Sequence, residues 1–339
     1  MVRRATIDDL AEAAGVSIST IDRVLNGRAK VRPATAEKVL AAAEAIGFYA
    51  TPVLRDRLGV GRPVRRLGVL LLQSNRTFYR LVAQALRDAA AADPGVALEV
   101  EHLDDLSPEA VAARMTEMGQ RVEALAVVSA EHPRVTDAVE RLAERGVRTV
   151  ALISTLTAPS GVTYVGLDHR KVGRTAGWAF AHICRKPGRI GVLVGSPRYR
   201  NQEMNESGFR SYLREHASDF IVLEPIPTFE DKVVAREMTA QLLAREPDLA
   251  GLFVSGGGIS GVLVALQEAS RRDIVVVGYD RIEPTVNGLI DGALTLVIAH
   301  PLQRLASECL GALSECMEDP SRRPPDRLIP FDIITAENL

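Results

Sequence analysis

Apolar residues recur at helical spacing in three short runs at the start of the chain. Ile7, Leu10 and Ala11 share a face of the first run, and Ile21, Val24 and Leu25 a face of the second. Ala36, Val39, Leu40, Ala43 and Ile46 form a stripe on the third. Thr6 is placed to cap the first run, with Asp9 at capping-box spacing. Gly15 ends it, because glycine adopts the left-handed conformation a tight turn needs. Val16 then plugs the angle between the first two runs. Ser17 caps the second run and Pro33 suits the start of the third. Three short helices, the first two joined by a turn of about four residues, predict a helix-turn-helix. Ile18, Ser19, Asp22, Arg23 and Asn26 face outward on its second helix.

"YATPVLRDRLGVGRPVRR" follows. Thr51 as cap and Pro52 as first residue predict a helix from about Val53 to Leu58, stopped by Gly59, Gly61 and Pro63. Such a piece is well short of the ~12–15 residues that hold a helix in water alone. It is expected to order only when paired and bound to another molecule, the alternative being a plain flexible linker.

From Leu67 the pattern changes to short apolar runs alternating with helix-period segments. The predicted strands are "RLGVLLLQ", "VALEVEHL", "EALAVVS", "RTVALIS", "RIGVLVG", "FIVLEPI", "AGLFVSG", "DIVVVGYD" and "LTLVIA". Segments such as "YRLVAQALRDAAAA" and "SPEAVAARMTEMGQR" lie between them. This alternation predicts parallel sheets with right-handed crossovers. The strands are too many for one ordinary sheet, so two similar doubly wound lobes are expected, about Arg66 to Leu167 and Asp168 to Ile290. A final helix and the tail "RLIPFDIITAENL" pass back across them. A cleft then forms at the carboxyl ends of the strands, where open α/β sheets bind ligands.

Charge adds a partner to this picture. Residues 1–66 hold 12 Lys/Arg against 7 Asp/Glu, a net of +5, and the rest 29 against 36, a net of −7. A basic head on an acidic body predicts a polyanion partner for the head alone. The second helix is expected in the major groove, with Arg23 on a guanine edge or a phosphate. Arg28, Lys30 and Arg32 would hold the backbone. The competing reading is a small helical bundle with a solvated basic face. The start "MVRRATIDDL" carries no apolar run of a signal peptide, and no segment approaches the ~20 apolar residues of a membrane span. Cys184, Cys309 and Cys316 are too scattered for a disulfide framework or zinc site and are expected to be buried structural thiols in a cytoplasmic protein.

"TIDDLAEAAGVSISTIDRVLNGRAKVRPATAEKVLAAAEAIGF" resembles the DNA-binding headpiece of the lactose/galactose-repressor (LacI-type) family of bacterial transcription regulators. "YVGLDHRKVGRTAGW", "VVGYDR", "DGALTLVIAHP" and "LIPFDIITAENL" resemble its effector domain, which is similar to type I periplasmic sugar-binding proteins. The resemblance implies a headpiece at 1–50, a hinge at 51–65 and a two-lobed sensing and dimerisation domain at 66–339. It implies a homodimer on a near-palindromic double-stranded operator, controlled by a small sugar, cyclitol or related polyol, with no cofactor and no membrane. Thr6, Ser17, Ile18, Ser19, Thr20, Asp22, Arg23, Asn26, Arg28, Lys30 and Arg32 form the implied DNA-facing set. The family's hinge helix wedges a leucine into the minor groove; here Arg57 holds that register, flanked by Leu54 and Leu58. Asp22 stands where the family commonly has a small hydroxyl residue, so it needs a cytosine amino group or a basic neighbour.

For the cleft the resemblance implies Asn75, Phe78, Gly256 and Asp280, with Asp168 equally suited to capping its helix and His300 where relatives often place a glutamine. Glu203 stands where sugar-binding members usually have an arginine, and Arg198, Arg200, Asn201 and Gln202 nearby could replace it. That departure admits a ligand with a positive charge or an extra donor. Gly256, Gly258 and Gly261 also satisfy G-x-G-x-x-G after a strand, with Asp280 ending the next. A nicotinamide-dependent oxidoreductase is therefore the competing class. Against it, the motif lies late in the chain, and a DNA-binding head has no use for hydride transfer.

Overall fold

The structure is a computed structural model that describes residues 5–26, 32–58, 64–196, 198–319 and 322–339. Arg28, Lys30, Gly59, Gly61 and Pro63 lie outside the described residues, as do the side chains of Arg57 and Leu58. The chain divides into two compact units: residues 1–65 with the 93–97 loop, and the remainder.

The first unit holds α1 (Ile7–Ala14), α2 (Ile18–Leu25), α3 (Pro33–Ala45) and α4 (Thr51–Leu58). Thr6 and Asp9 form the expected capping box, and Gly15 closes α1 with φ 63°. Ser17 caps α2 through the Thr20 amide. Leu10, Ala11, Ile21, Val24, Val39, Leu40, Ala43 and Phe48 make one core.

The so-called hinge helix departs from expectation. Leu54 is fully buried in that same core, and Arg55 pairs with Glu44 of α3. The Thr51 hydroxyl donates back to the Phe48 carbonyl at 2.6 Å instead of capping the helix ahead of it. Packing against α2 and α3 thus supplies what eight residues lack alone, and α4 is ordered as a fourth helix of the head.

The second unit runs β1 (Arg65–Leu72), α5 (Thr77–Ala91), β2 (Val96–Leu103), α6 (Pro108–Met118), β3 (Ala124–Val127), α7 (Pro133–Glu144), β4 (Arg148–Leu152) and β5 (Thr163–Leu167). It continues with α8 (His169–Ile183), β6 (Arg189–Val194), α9 (Arg200–His216), β7 (Ile221–Val222), β8 (Ile226–Pro227), α10 (Lys232–Arg245), β9 (Leu249–Val254) and α11 (Ile259–Glu268). The last elements are β10 (Val275–Tyr279), α12 (Glu283–Ile290), β11 (Leu296–Ala299), α13 (Leu302–Glu318), β12 (Arg327–Ile329) and β13 (Asp332–Ile334).

Two sheets result, ordered β12-β5-β4-β3-β1-β2 and β13-β11-β10-β9-β6-β7, with β8 also on β6. Each is doubly wound. Only β13 runs antiparallel among the registered pairs, against β11. Leu70, Met115, Leu125, Val127 and Leu142 anchor the first lobe's core; Leu193, Leu252, Val262, Val276 and Val297 anchor the second's. The order reverses between β1 and β3 in one lobe and between β6 and β9 in the other. Those switch points open a crevice beyond the strand ends. The chain crosses between lobes three times: after β5 into α8, after β11 into α13, and from β12 into β13.

Of the thiols, Cys309 and Cys316 are buried as expected, but Cys184 is half-exposed.

Candidate functional site

On the head, α2 presents Ile18, Ser19 and Arg23 to solvent, with Ile18 53% exposed. Arg23 folds back along its own helix, Nε donating to the Ser19 carbonyl at 3.0 Å. Its second terminal nitrogen reaches Ser19 Oγ at 3.2 Å. Asp22 finds an amide instead of the expected base: Asn26 Nδ2 donates to its Oδ1 at 2.7 Å. The acid is thereby fixed against its helix end. Thr6, Ser17 and Thr20 serve the caps, and Arg32 is exposed at the start of α3. Leu54 is not on this surface at all: its burial removes it from any contact with DNA in this arrangement.

In the body, a cavity of about 510 Å³ lies where the two lobes face each other. Asn75, Phe78, Gly256, Asp280 and His300 all line it. Asp168, Arg200 and Glu203 do not. Asp168 accepts from the Lys171 amide at 3.1 Å and caps α8. Arg200 reaches Glu131 of the first lobe at 3.6 Å and Glu203 at 3.3 Å, on the exposed start of α9. An acid where an arginine was expected thus forms a local ion pair, and neither partner reaches the cleft.

Asp280 ends β10 in the left-handed region at φ 60°. Its Oδ1 accepts from the His300 amide at 3.2 Å and lies 2.7 Å from His300 Nδ1. A carboxylate only accepts, so Nδ1 donates to it, and the ring's other nitrogen, Nε2, lies on the far side. That Nε2 is buried and has no hydrogen-bond partner. The Phe78 and Tyr279 rings lie against the His300 ring, at 5.3 Å and 5.7 Å.

Beneath them sits His169, whose Nε2 donates to the Ile153 carbonyl at 2.8 Å. Burial first, and repulsion from His300 second, lower its pKa to about 4, so this ring is neutral at physiological pH. Burial likewise raises the Tyr279 hydroxyl well above its ordinary value.

Sequence reasoning missed the pair that spans the cleft. Arg76, beyond β1, forms an ion pair with Glu230, beyond β8, and donates to the Glu230 carbonyl at 2.6 Å. Arg76 Nε takes Gln73 Oε1 at 2.8 Å. The second Glu230 oxygen accepts from Gln202 Nε2 at 2.7 Å, and Gln202 Oε1 accepts from the Gly195 amide at 2.6 Å. The carboxylate is seated directly on backbone. A Cβ at Gly195 would lie 1.6 Å from it, and one at Gly257 1.9 Å. Phe229 and Glu230 both hold positive φ, 50° and 62°. The available signal was position: Arg76 lies between Asn75 and Phe78, and "TFED" follows a strand end.

The three glycines of the G-x-G-x-x-G pattern have packing explanations. A Cβ at Gly256 would meet the Gly195 amide at 2.2 Å, and one at Gly261 the Lys232 carbonyl at 1.9 Å. Gly258 begins α11 at φ 95°. Among the described residues no group of three or more His, Cys, Asp or Glu could hold a metal ion.

A helix-turn-helix head and a two-lobed α/β body with a cleft at its strand ends define the class: a DNA-binding regulator fused to a ligand-binding domain. Residues 67–314 match the periplasmic binding protein domain, and residues 6–50 match the bacterial regulatory proteins of the lacI family. The chain is 28% identical over 284 residues to the ribose operon repressor of Bacillus subtilis, covering 82% of each chain. It is 22% identical over 321 residues to catabolite control protein A of Priestia megaterium, covering 92% of each. A solute-binding protein from Burkholderia graminis, in complex with D-arabinose, superposes with a TM-score of 0.75 at 18% identity, over 82% of this chain and 97% of that one. One from Actinobacillus succinogenes with bound D-allose gives 0.74 at 18%, over 81% and 98%. The chain belongs to the LacI family of bacterial transcription regulators, its body being a periplasmic binding protein domain. No relative among these is an oxidoreductase.

Proposed function

We propose that this regulator acts as a homodimeric repressor in the cytoplasm and is not an enzyme. Two heads take the half-sites of a near-palindromic operator, and a sugar, cyclitol or related polyol in the cleft releases it. Two-fold protein symmetry calls for matching DNA symmetry. On α2, Ile18 offers a methyl contact to thymine, Ser19 an adaptable hydrogen bond, and Arg23 a guanine or phosphate contact once it leaves its own helix. Arg28, Lys30 and Arg32 hold phosphates.

The observation that carries the effector reading is the Asp280–His300 pair beside the Phe78 ring. A carboxylate oxygen, a buried imidazole nitrogen without a partner and an aromatic face suit the hydroxyls and apolar face of one small ring. The sugars named with two of the similar structures, and the ribose operon of one relative, support the same class. The effector changes operator affinity only through its different affinity for the DNA-competent and DNA-incompetent states.

The test is fluorescence anisotropy of full-length protein on genomic fragments recovered by its own binding, repeated across a sugar panel. Salt-sensitive binding relieved by one sugar is the expected result. Asp280→Ala should keep DNA binding and lose the relief. Binding of a sugar without any change in DNA affinity would overturn the coupling.

A further inference from the structure

Resting on the polyol reading above, we infer that the effector carries an amino group: an amino sugar or aminocyclitol whose ammonium sits on Asp280.

The lining residues include the cations Arg76 and Lys232 and the acids Glu230, Asp231 and Asp280. Arg76 has three of its five N–H donors engaged. Its Nε goes to Gln73 and its two terminal nitrogens go to Glu230. An anionic ligand would either take the remaining two Arg76 donors beside the Glu230 carboxylate, which repels it, or strip Glu230 from Arg76 and leave that carboxylate with Gln202 alone. Separating a largely buried pair leaves an uncompensated charge and is strongly unfavourable. Asp231 is committed to the Val233 and Val234 amides at the start of α10, and Lys232 is exposed.

Asp280 is different. Its side chain is 14% exposed, and its partner is an imidazole, not a guanidinium. Both recorded bonds fall on Oδ1; none of the described residues donates to Oδ2. The neighbouring His300 Nε2 is buried and has no hydrogen-bond partner among the described residues. A carboxylate oxygen without a donor, in a cleft lined by three acids and two such cations, suits a donor-rich cationic group. An ammonium supplies three donors and no acceptor. The Phe78 face, 5.3 Å from the His300 ring, adds attraction for a cation and none for an anion.

Matched pairs test this by calorimetry on the full-length protein, at a pH where the amines are protonated. The pairs are glucosamine with glucose, galactosamine with galactose, and an inosamine with myo-inositol; glucuronate serves as the anionic control. A charge-assisted hydrogen bond exceeds a neutral one by enough to make the amine of at least one pair bind about tenfold tighter than its hydroxyl twin. That advantage should vanish in Asp280→Asn, which lowers the amine's affinity by more than the twin's. Binding with no amine advantage in any pair, or glucuronate binding tightest, overturns the inference and leaves the polyol reading intact. An amine advantage that survives Asp280→Asn also overturns it. Saturable binding by no member of any pair overturns the polyol reading and this inference together.

Discussion

Two residues show how burial decides a role that residue type leaves open. Leu54 carries the side chain expected of a groove wedge, yet it fills the head core beside Phe48. Leu54→Ala should therefore lower head stability by about 2–5 kcal/mol, read from thermal unfolding, where a surface wedge would change little. His169 was only a letter in "DHRKVG" until the fold buried it among Ile153, Asn205 and Tyr279. Its folded pKa of about 4 lies below the ordinary 6.5, so between those values the unfolded chain binds more protons than the folded one. Its contribution is complete above pH 6.5 and is lost as pH falls toward 4. The body's melting temperature should drop on acidification from pH 7 to pH 5, and His169→Gln should flatten that drop. An unchanged slope in the variant would show that other groups carry it.

At the scale of elements, the capped and periodic parts were readable and the buried parts were less so. Thr6, Gly15 and Ser17 each do locally what their chemistry predicts, because a cap depends on three or four neighbouring residues alone. Ser17→Ala should cost about 1 kcal/mol of head stability while leaving the identity of the bound sequence unchanged. Ile18→Ala should do the reverse, and selection of bound DNA fragments by each variant separates the two. By contrast, β5 escaped notice. Its five residues are all buried, so no alternation marks them, and Gly166 interrupts the apolar run to make room for the Tyr164 hydroxyl. "FIVLEPI" predicted one strand and forms two pieces of two residues, broken at the polar Glu224. The helix α4 was misjudged for the opposite reason. Its propensity was read correctly as weak, but tertiary packing overrides propensity.

For the whole molecule, topology was legible and long-range pairing was not. Alternating strands and helices fix the two sheets and hence the cleft at the strand ends, where the family resemblance put Asn75, Phe78 and Asp280. Nothing local announces that Arg76 meets a carboxylate 154 positions later. That bridge joins the lobes, and its strength belongs to the body as a unit. Glu230→Gln should loosen it, raising amide hydrogen exchange in 73–77 and 229–233 without unfolding either sheet. Exchange unchanged in both segments would show that the bridge does not restrain the lobes.

The last dozen residues have a role out of proportion to their size. One three-residue strand finishes the edge of one sheet, and the next, after a two-residue step, finishes the edge of the other. A stop codon placed after α13 would thus strip both margins at once, leaving β5 and β11 with unpaired backbone groups. Such a shortened chain should accumulate as insoluble aggregate even though every head and cleft side chain is still encoded.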